Sequence, residues 1–145
     1  LVSPQFFKDY AMPYDKMVFE QWKKQGVLTS LHICGRSTSI WADMIATGVQ
    51  NVEVDQTVDL AEAKVKIGDR VCITGNLDPS ATIRHGTTYQ VASKSKECIE
   101  AGAANGGYVL SPGCVVMPEF PLKNIETMVR VARQYGQYPL SKCAE

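Results

Sequence analysis

The segment His32-Ile33-Cys34-Gly35 holds two side chains suited to gripping one metal ion. Residues two apart on an extended strand project to the same face, so the His32 imidazole and the Cys34 thiol can converge. Gly35 then lets the backbone turn tightly away. An imidazole nitrogen with a thiolate sulfur suits Zn2+, which is borderline-soft and tolerates mixed ligands. Taken alone, the pair reads more readily as a half-buried histidine beside a small apolar cysteine. A second thiol, Cys114 in Ser111-Pro112-Gly113-Cys114, lies far downstream, and by itself it is an ordinary loop cysteine. Together the three make a metal-ligand set with two thiolates and one open position, the feature that separates a catalytic zinc from a structural one. Asp55 leads as occupant of that fourth position, ahead of Glu53 and Gln56, and it reads equally as a carboxylate that starts a helix or faces water. Asn76, in Gly75-Asn76-Leu77-Asp78-Pro79, is a candidate for hydrogen bonding to a substrate, with the holding of a turn as the favoured alternative.

These residues matter because of where the elements put them. Ser3-Pro4 reads as an N-cap followed by proline in the first turn, opening a helix over Gln5 to Gln25 that Pro13 breaks or kinks. Gly26 stops it, and Val27 to Cys34 reads as a strand. Helical and strand-like segments then alternate: a helix over Ser37 to Thr47, a strand over Val49 to Asp55, and a helix over Leu60 to Ile67 headed by an Asp59/Glu62 capping box. A strand over Val71 to Thr74 closes at Gly75, a helix runs from Thr88 to Ala101, a strand spans Tyr108 to Leu110, and Pro121 opens a last helix to Tyr135. Four short apolar strands separated by helices predict successive βα units of a parallel sheet. Such units make half of a (β/α)8 barrel, and a doubly wound sheet is the other arrangement they allow. His32, Cys34, Asp55, Asn76 and Cys114 then all fall at or just past the C-terminal ends of strands, the rim on which parallel barrels build active sites.

The bulk composition narrows the function classes. Hydrophobic residues make up 45% and charged residues 21% of 145, the profile of a globular domain, read here as a single one over residues 1–145. Lys+Arg and Asp+Glu both number 15, so no net field favours nucleic acid or an anionic membrane. No apolar run reaches the roughly 20 residues of a membrane-spanning helix, and the opening residues do not read as a signal peptide. The 5 cysteines are then expected to be reduced, buried or metal-bound in a cytoplasmic setting. Cys72 and Cys98 read as packing residues, Cys143 as free, and His85 as exposed. Trp22 and Trp41 are expected to cover the sheet from the helical layer. The abrupt opening, without Met, suggests a piece of a longer chain.

The motifs also resemble a known family. Ser3-Pro4 with Phe7, Pro13-Tyr14, His32-Ile33-Cys34-Gly35, Val58-Asp59-Leu60, Gly75-Asn76-Leu77-Asp78-Pro79, Ser111-Pro112-Gly113-Cys114 and Pro121-Leu122-Lys123-Asn124 run in the order seen in the uroporphyrinogen decarboxylase superfamily. Within it the chain resembles the cobamide-dependent methyltransferases of the methylcobamide:coenzyme M type. That resemblance implies the C-terminal half of a (β/α)8 barrel, an α/β fold. It also implies zinc held by His32, Cys34 and Cys114, with Asp55 the counterpart of a further acidic ligand, although relatives carry a Glu-Glu pair where this chain has Asp55-Gln56. The decarboxylases lack this metal site and show a histidine at the position of Cys114. The implied activity is methyl transfer between a corrinoid (methylcobamide) and a thiol or other acceptor. Its implied partners are a corrinoid protein and either the N-terminal half of the barrel or a second copy of the chain. Decarboxylation without metal and a non-catalytic half-barrel interaction module are the alternatives.

Overall fold

Ser3 opens the first helical run as its position suggests: its hydroxyl accepts the Phe6 N–H at 3.2 Å, with Pro4 in the first turn. The structure, a computed structural model, describes residues 3–138 and 140. Pro13 neither stops nor breaks the run. A short turn over Pro4–Phe6 widens into a π-helical turn over Phe7–Ala11, and α1 (Met12–Lys24) resumes with Pro13 in its own first turn. Proline lacks an N–H and its ring crowds the carbonyl four residues back, and a widened turn just upstream accommodates both.

Then follow β1 (Ser30–His32), a 3-10 turn over Thr38–Ile40, α2 (Trp41–Ala46), β2 (Asn51–Glu53), α3 (Leu60–Ile67) and β3 (Cys72–Leu77). A π-helical turn over Pro79–Arg84 leads into α4 (Thr88–Gly102), β4 (Tyr108–Pro112) and α5 (Leu122–Tyr135). Local chemistry fixes several of these boundaries. Asp59 Oδ1 accepts the Glu62 N–H at 2.9 Å at the start of α3, and Thr87 and Gln90 form a reciprocal capping box on α4. Asp78 Oδ1 takes the N–H groups of both Ser80 and Ala81 at 2.8 Å, which starts the Pro79–Arg84 turn.

The strands are parallel and lie in chain order β1-β2-β3-β4, the α/β arrangement expected of consecutive βα units. Cross-strand register puts Leu31, Val52, Ile73 and Tyr108 in one row, and Val52 and Ile73 are fully buried. Trp41, Met44, Ala63 and Ile67 cover that face, while Val91, Ile99, Met128 and Val131 on α4 and α5 extend the core beyond β3 and β4. Trp22 does not join this layer: it is 47% exposed against 3% for Trp41, because Phe7 and Phe19 take the inward positions of the first run. The adjacent row His32, Glu53, Thr74 and Val109 lies on the opposite face.

β3 is longer than its sequence suggests. Gly75 does not end it, since a Cβ there would lie 2.7 Å from the Val54 carbonyl oxygen; the glycine allows β2 and β3 to approach. Among the described residues the outer edges of β1 and β4 pair with no further strand, and no helix is long and apolar enough to cross a membrane.

Candidate metal centre

His32 is the last residue of β1 and lies opposite Glu53 of β2. Its Nδ1 is 3.2 Å from the Glu53 carbonyl oxygen, which can only accept, so the ring N–H is assigned to Nδ1. Nε2 is thereby left with a lone pair, the orientation that a backbone carbonyl commonly imposes on a metal-binding histidine. That Nε2 lies 3.1 Å from Cys34 Sγ. Directly beyond, Gly35 turns the chain at φ 81°, a left-handed conformation that favours glycine.

Cys114 arrives from the far side of the sheet. Its Sγ is 3.5 Å from that of Cys34 although 80 residues separate them, and the ligand atoms of His32, Cys34 and Cys114 all lie within 4.8 Å of one another. Since β1 and β4 are opposite edges, the sheet curves enough to bring its outer rims together. The close approach depends on Gly113, whose N–H donates to the Leu77 carbonyl at 2.7 Å. A Cβ at Gly113 would lie 2.4 Å from the Gln56 nitrogen, so only glycine lets the loop after β4 press against the loop after β2.

The spacing of the donors suits the ion that their chemistry favours. Zinc–sulfur bonds of about 2.3 Å and zinc–nitrogen bonds of about 2.0–2.1 Å separate tetrahedral donors by about 3.5–3.8 Å. The observed 3.1 and 3.5 Å are near those spans, with the donors drawn slightly inward. Electrostatics agree. The hydrogen bond with Cys114, then desolvation and the charge of Cys114, hold the Cys34 thiol above its ordinary range, with Asp55 adding least. Two thiolates this close repel each other, and a cation between them reverses that. An imidazole and two thiols therefore fit Zn2+.

Asp55 is buried just beyond β2, 4% exposed, and lies outside the group of three. Its Oδ1 accepts the N–H and the hydroxyl of Thr57, both at 2.8 Å, and its carboxylate also takes the Gly35 N–H. Burial pushes this carboxyl up, but the Gly35 and Thr57 hydrogen bonds with the nearby His32 pull it further down, below the usual carboxylate range. Asn76 Nδ2 donates to the carbonyls of Asp55 at 3.2 Å and Val58 at 2.7 Å, so it holds the turn after β2. Cys98 Sγ lies 3.9 Å from Asn76 Oδ1. Cys72 begins β3, half-buried, and neither cysteine joins the trio. His85 is exposed, and Cys143 lies outside the described residues.

A family defined by uroporphyrinogen decarboxylase (URO-D) matches residues 1–135. The chain belongs to the uroporphyrinogen decarboxylase family. Its relatives in that family divide by activity. The methylcobamide:CoM methyltransferase MtbA of Methanosarcina acetivorans is 38% identical over 93% of this chain, and the uroporphyrinogen decarboxylase of Trichodesmium erythraeum is 36% identical over 92%. Among solved structures, a methyltransferase from Methanosarcina mazei superposes with TM-score 0.81 at 26% identity over 94% of this chain. The match spans 38% of the length of MtbA, 37% of that decarboxylase and 39% of the solved methyltransferase. Within this URO-D chain three contributors to the site carry no side-chain signature in the sequence. They are the Glu53 carbonyl, the Gly35 N–H and the absent Cβ of Gly113; only the glycine in Ser111-Pro112-Gly113-Cys114 could have drawn notice.

Proposed function

We propose that this chain forms the metal-binding part of a zinc- and corrinoid-dependent methyltransferase that transfers a methyl group between a methylcobamide and a thiol. One observation carries the reading: His32, Cys34 and Cys114, remote in sequence, present their ligand atoms within 4.8 Å of one another at the strand ends. Similarity to methylcobamide:CoM methyltransferases agrees with it. Decarboxylation without a metal would give these three donors nothing to hold.

In this reading His32 Nε2 and the two sulfurs ligate Zn2+, and Cys34 and Cys114 release their protons to solvent as they bind. Glu53 keeps the His32 ring in place through its carbonyl, and Asp55 holds the turn at Gly35 through the N–H it accepts. As a further ligand, Asp55 would have to give up those hydrogen bonds. When bound, zinc supplies a lowered pKa to an acceptor thiol, so that thiolate is present near neutral pH. In the transfer the acceptor sulfur's lone pair forms the new S–C bond. The Co–C bond of the methylcob(III)amide breaks, and its electron pair leaves with cobalt as cob(I)amide. The corrinoid would be delivered by a separate corrinoid protein over the strand ends. A further barrel segment, the N-terminal half or a second copy, would complete the pocket.

Zinc content of freshly purified protein tests the reading. One zinc per chain is expected, lost in Cys34→Ala and in Cys114→Ala but retained in Cys72→Ala. Full zinc retention by either of the first two variants overturns the ligand set. Carbon dioxide release from uroporphyrinogen, with no methylation of thiol by methylcobalamin, would overturn the activity.

A further inference from the structure

Cys34 and Cys114 make the one sulfur–sulfur contact among the described residues, with Sγ 3.5 Å from Sγ. Zinc holds a pair of thiolates at about that span, whereas a disulfide brings them to about 2.05 Å. The two states therefore differ by about 1.5 Å of sulfur movement. Access to the two thiols is unequal: Cys34 is exposed and Cys114 is half-buried. A cavity of about 100 Å3, walled by Phe7, Ile33 and Ile40, also reaches Cys34 and has room for a molecule the size of water or a peroxide.

The backbone assigns the two sulfurs different parts. Gly113 is packed against the Gln56 backbone and its N–H is bonded to the Leu77 carbonyl at 2.7 Å, so the loop that carries Cys114 is held in place. Cys34 has an exposed side chain that can turn about its Cα–Cβ bond, and the glycine turn at φ 81° follows it directly. Cys34 is thus the sulfur that meets an oxidant and moves, and Cys114 is the one that resolves it. The other described thiols lack this arrangement: Cys72 is half-buried at the start of β3, and Cys98 Sγ lies 3.9 Å from Asn76 Oδ1 with no second sulfur in contact.

We propose that Cys34 and Cys114 are a reversible oxidation site, joined as a disulfide by a peroxide with release of the zinc. This rests on the zinc reading of the centre and adds to it a regulation of the same residues. In the first step the Cys34 sulfur bonds to one peroxide oxygen, the O–O bond breaks, and the other oxygen leaves as water, which makes Cys34 a sulfenic acid. The Cys114 sulfur then attacks the Cys34 sulfur, the S–O bond breaks, and the oxygen leaves as a second water. Two electrons pass from the sulfurs to the peroxide, and solvent supplies the two protons that the thiols gave up on binding zinc. His32 is then the last of the three donors, and the ion dissociates. A dithiol reductant reverses the bond by exchange, becoming a disulfide itself.

The zinc-loaded full chain is treated with hydrogen peroxide. Released zinc is read with a chromogenic chelator, free thiols are counted after unfolding, and disulfide-linked peptides are mapped by mass. The expected result is loss of the zinc together with the thiols of Cys34 and Cys114, and a linked peptide pair that contains those two residues. Dithiothreitol followed by fresh zinc should restore both thiols and the bound ion. Cys72→Ser should leave the zinc release and the linked pair unchanged. Three outcomes overturn the oxidation site while leaving the zinc reading intact: zinc released with both thiols still free, Cys34 lost irreversibly as its sulfinic acid, or either residue linked to a different cysteine. Failure of the untreated chain to hold zinc overturns the reading and the oxidation site together.

Discussion

With the N–H of Gly35 and both donors of Thr57 directed at it, the Asp55 carboxylate joins the loop after β1 to the loop after β2. Asp55→Ala would leave those donors without an acceptor in a buried place, at a cost of about 1–3 kcal/mol in urea denaturation. Zinc affinity should fall with it, because Gly35 sets the course of the chain out of Cys34; unchanged stability and unchanged zinc affinity would refute this role. The donor types themselves were legible from the sequence. His32 and Cys34 share a face by spacing alone, and Cys114 follows a strand. What Asp55 does was not legible, because a carboxylate that ligates and one that gathers N–H groups look identical as a letter. The Glu53 carbonyl was invisible for a different reason, since every residue has one and only the register of β1 against β2 aims it at His32.

Loops rather than strands complete the site, and glycine placement governs them. Gly113→Ala would push a methyl group into the Gln56 backbone, where the space is 2.4 Å. The loop after β4 must then lift and take Cys114 with it. Zinc affinity, read by competition with a chelator, is expected to fall by about 10–100-fold while far-ultraviolet circular dichroism stays the same. Asn76→Ala removes the donor to two carbonyls in the turn after β2 and should cost about 1–3 kcal/mol in denaturant unfolding. A cost near zero would show that water replaces the amide there. The sequence marked this element's existence but not its length. Gly75 looked like a strand terminator, and it serves instead to let β3 pass close to Val54, a need that only a neighbouring chain segment creates. Pro13 misled in the same direction, because a π-helical turn over Phe7–Ala11 absorbs what would otherwise be a break.

Across the whole molecule the parallel order of the strands was readable from alternation of apolar runs with helices, and the curvature was not. Nothing in the composition says that the rims of β1 and β4 bend until two sulfurs lie 3.5 Å apart. Ile73, fully buried at the centre of that arc, is the position where a cavity would be felt most, and Ile73→Ala is expected to cost about 2–5 kcal/mol by thermal or chemical unfolding. The uncovered edges of β1 and β4 predict that this chain alone associates through strand pairing, which light scattering across a concentration series would reveal as a rising mass. Because the three donors come from the ends of the two outermost strands and the loops that follow them, affinity for a cation is also a gauge of how sharply the sheet bends. A substitution that flattens the arc, even one remote from His32, should weaken zinc with every ligand in place. Stripping the ion with a chelator should in turn free the two rims and speed amide exchange there first.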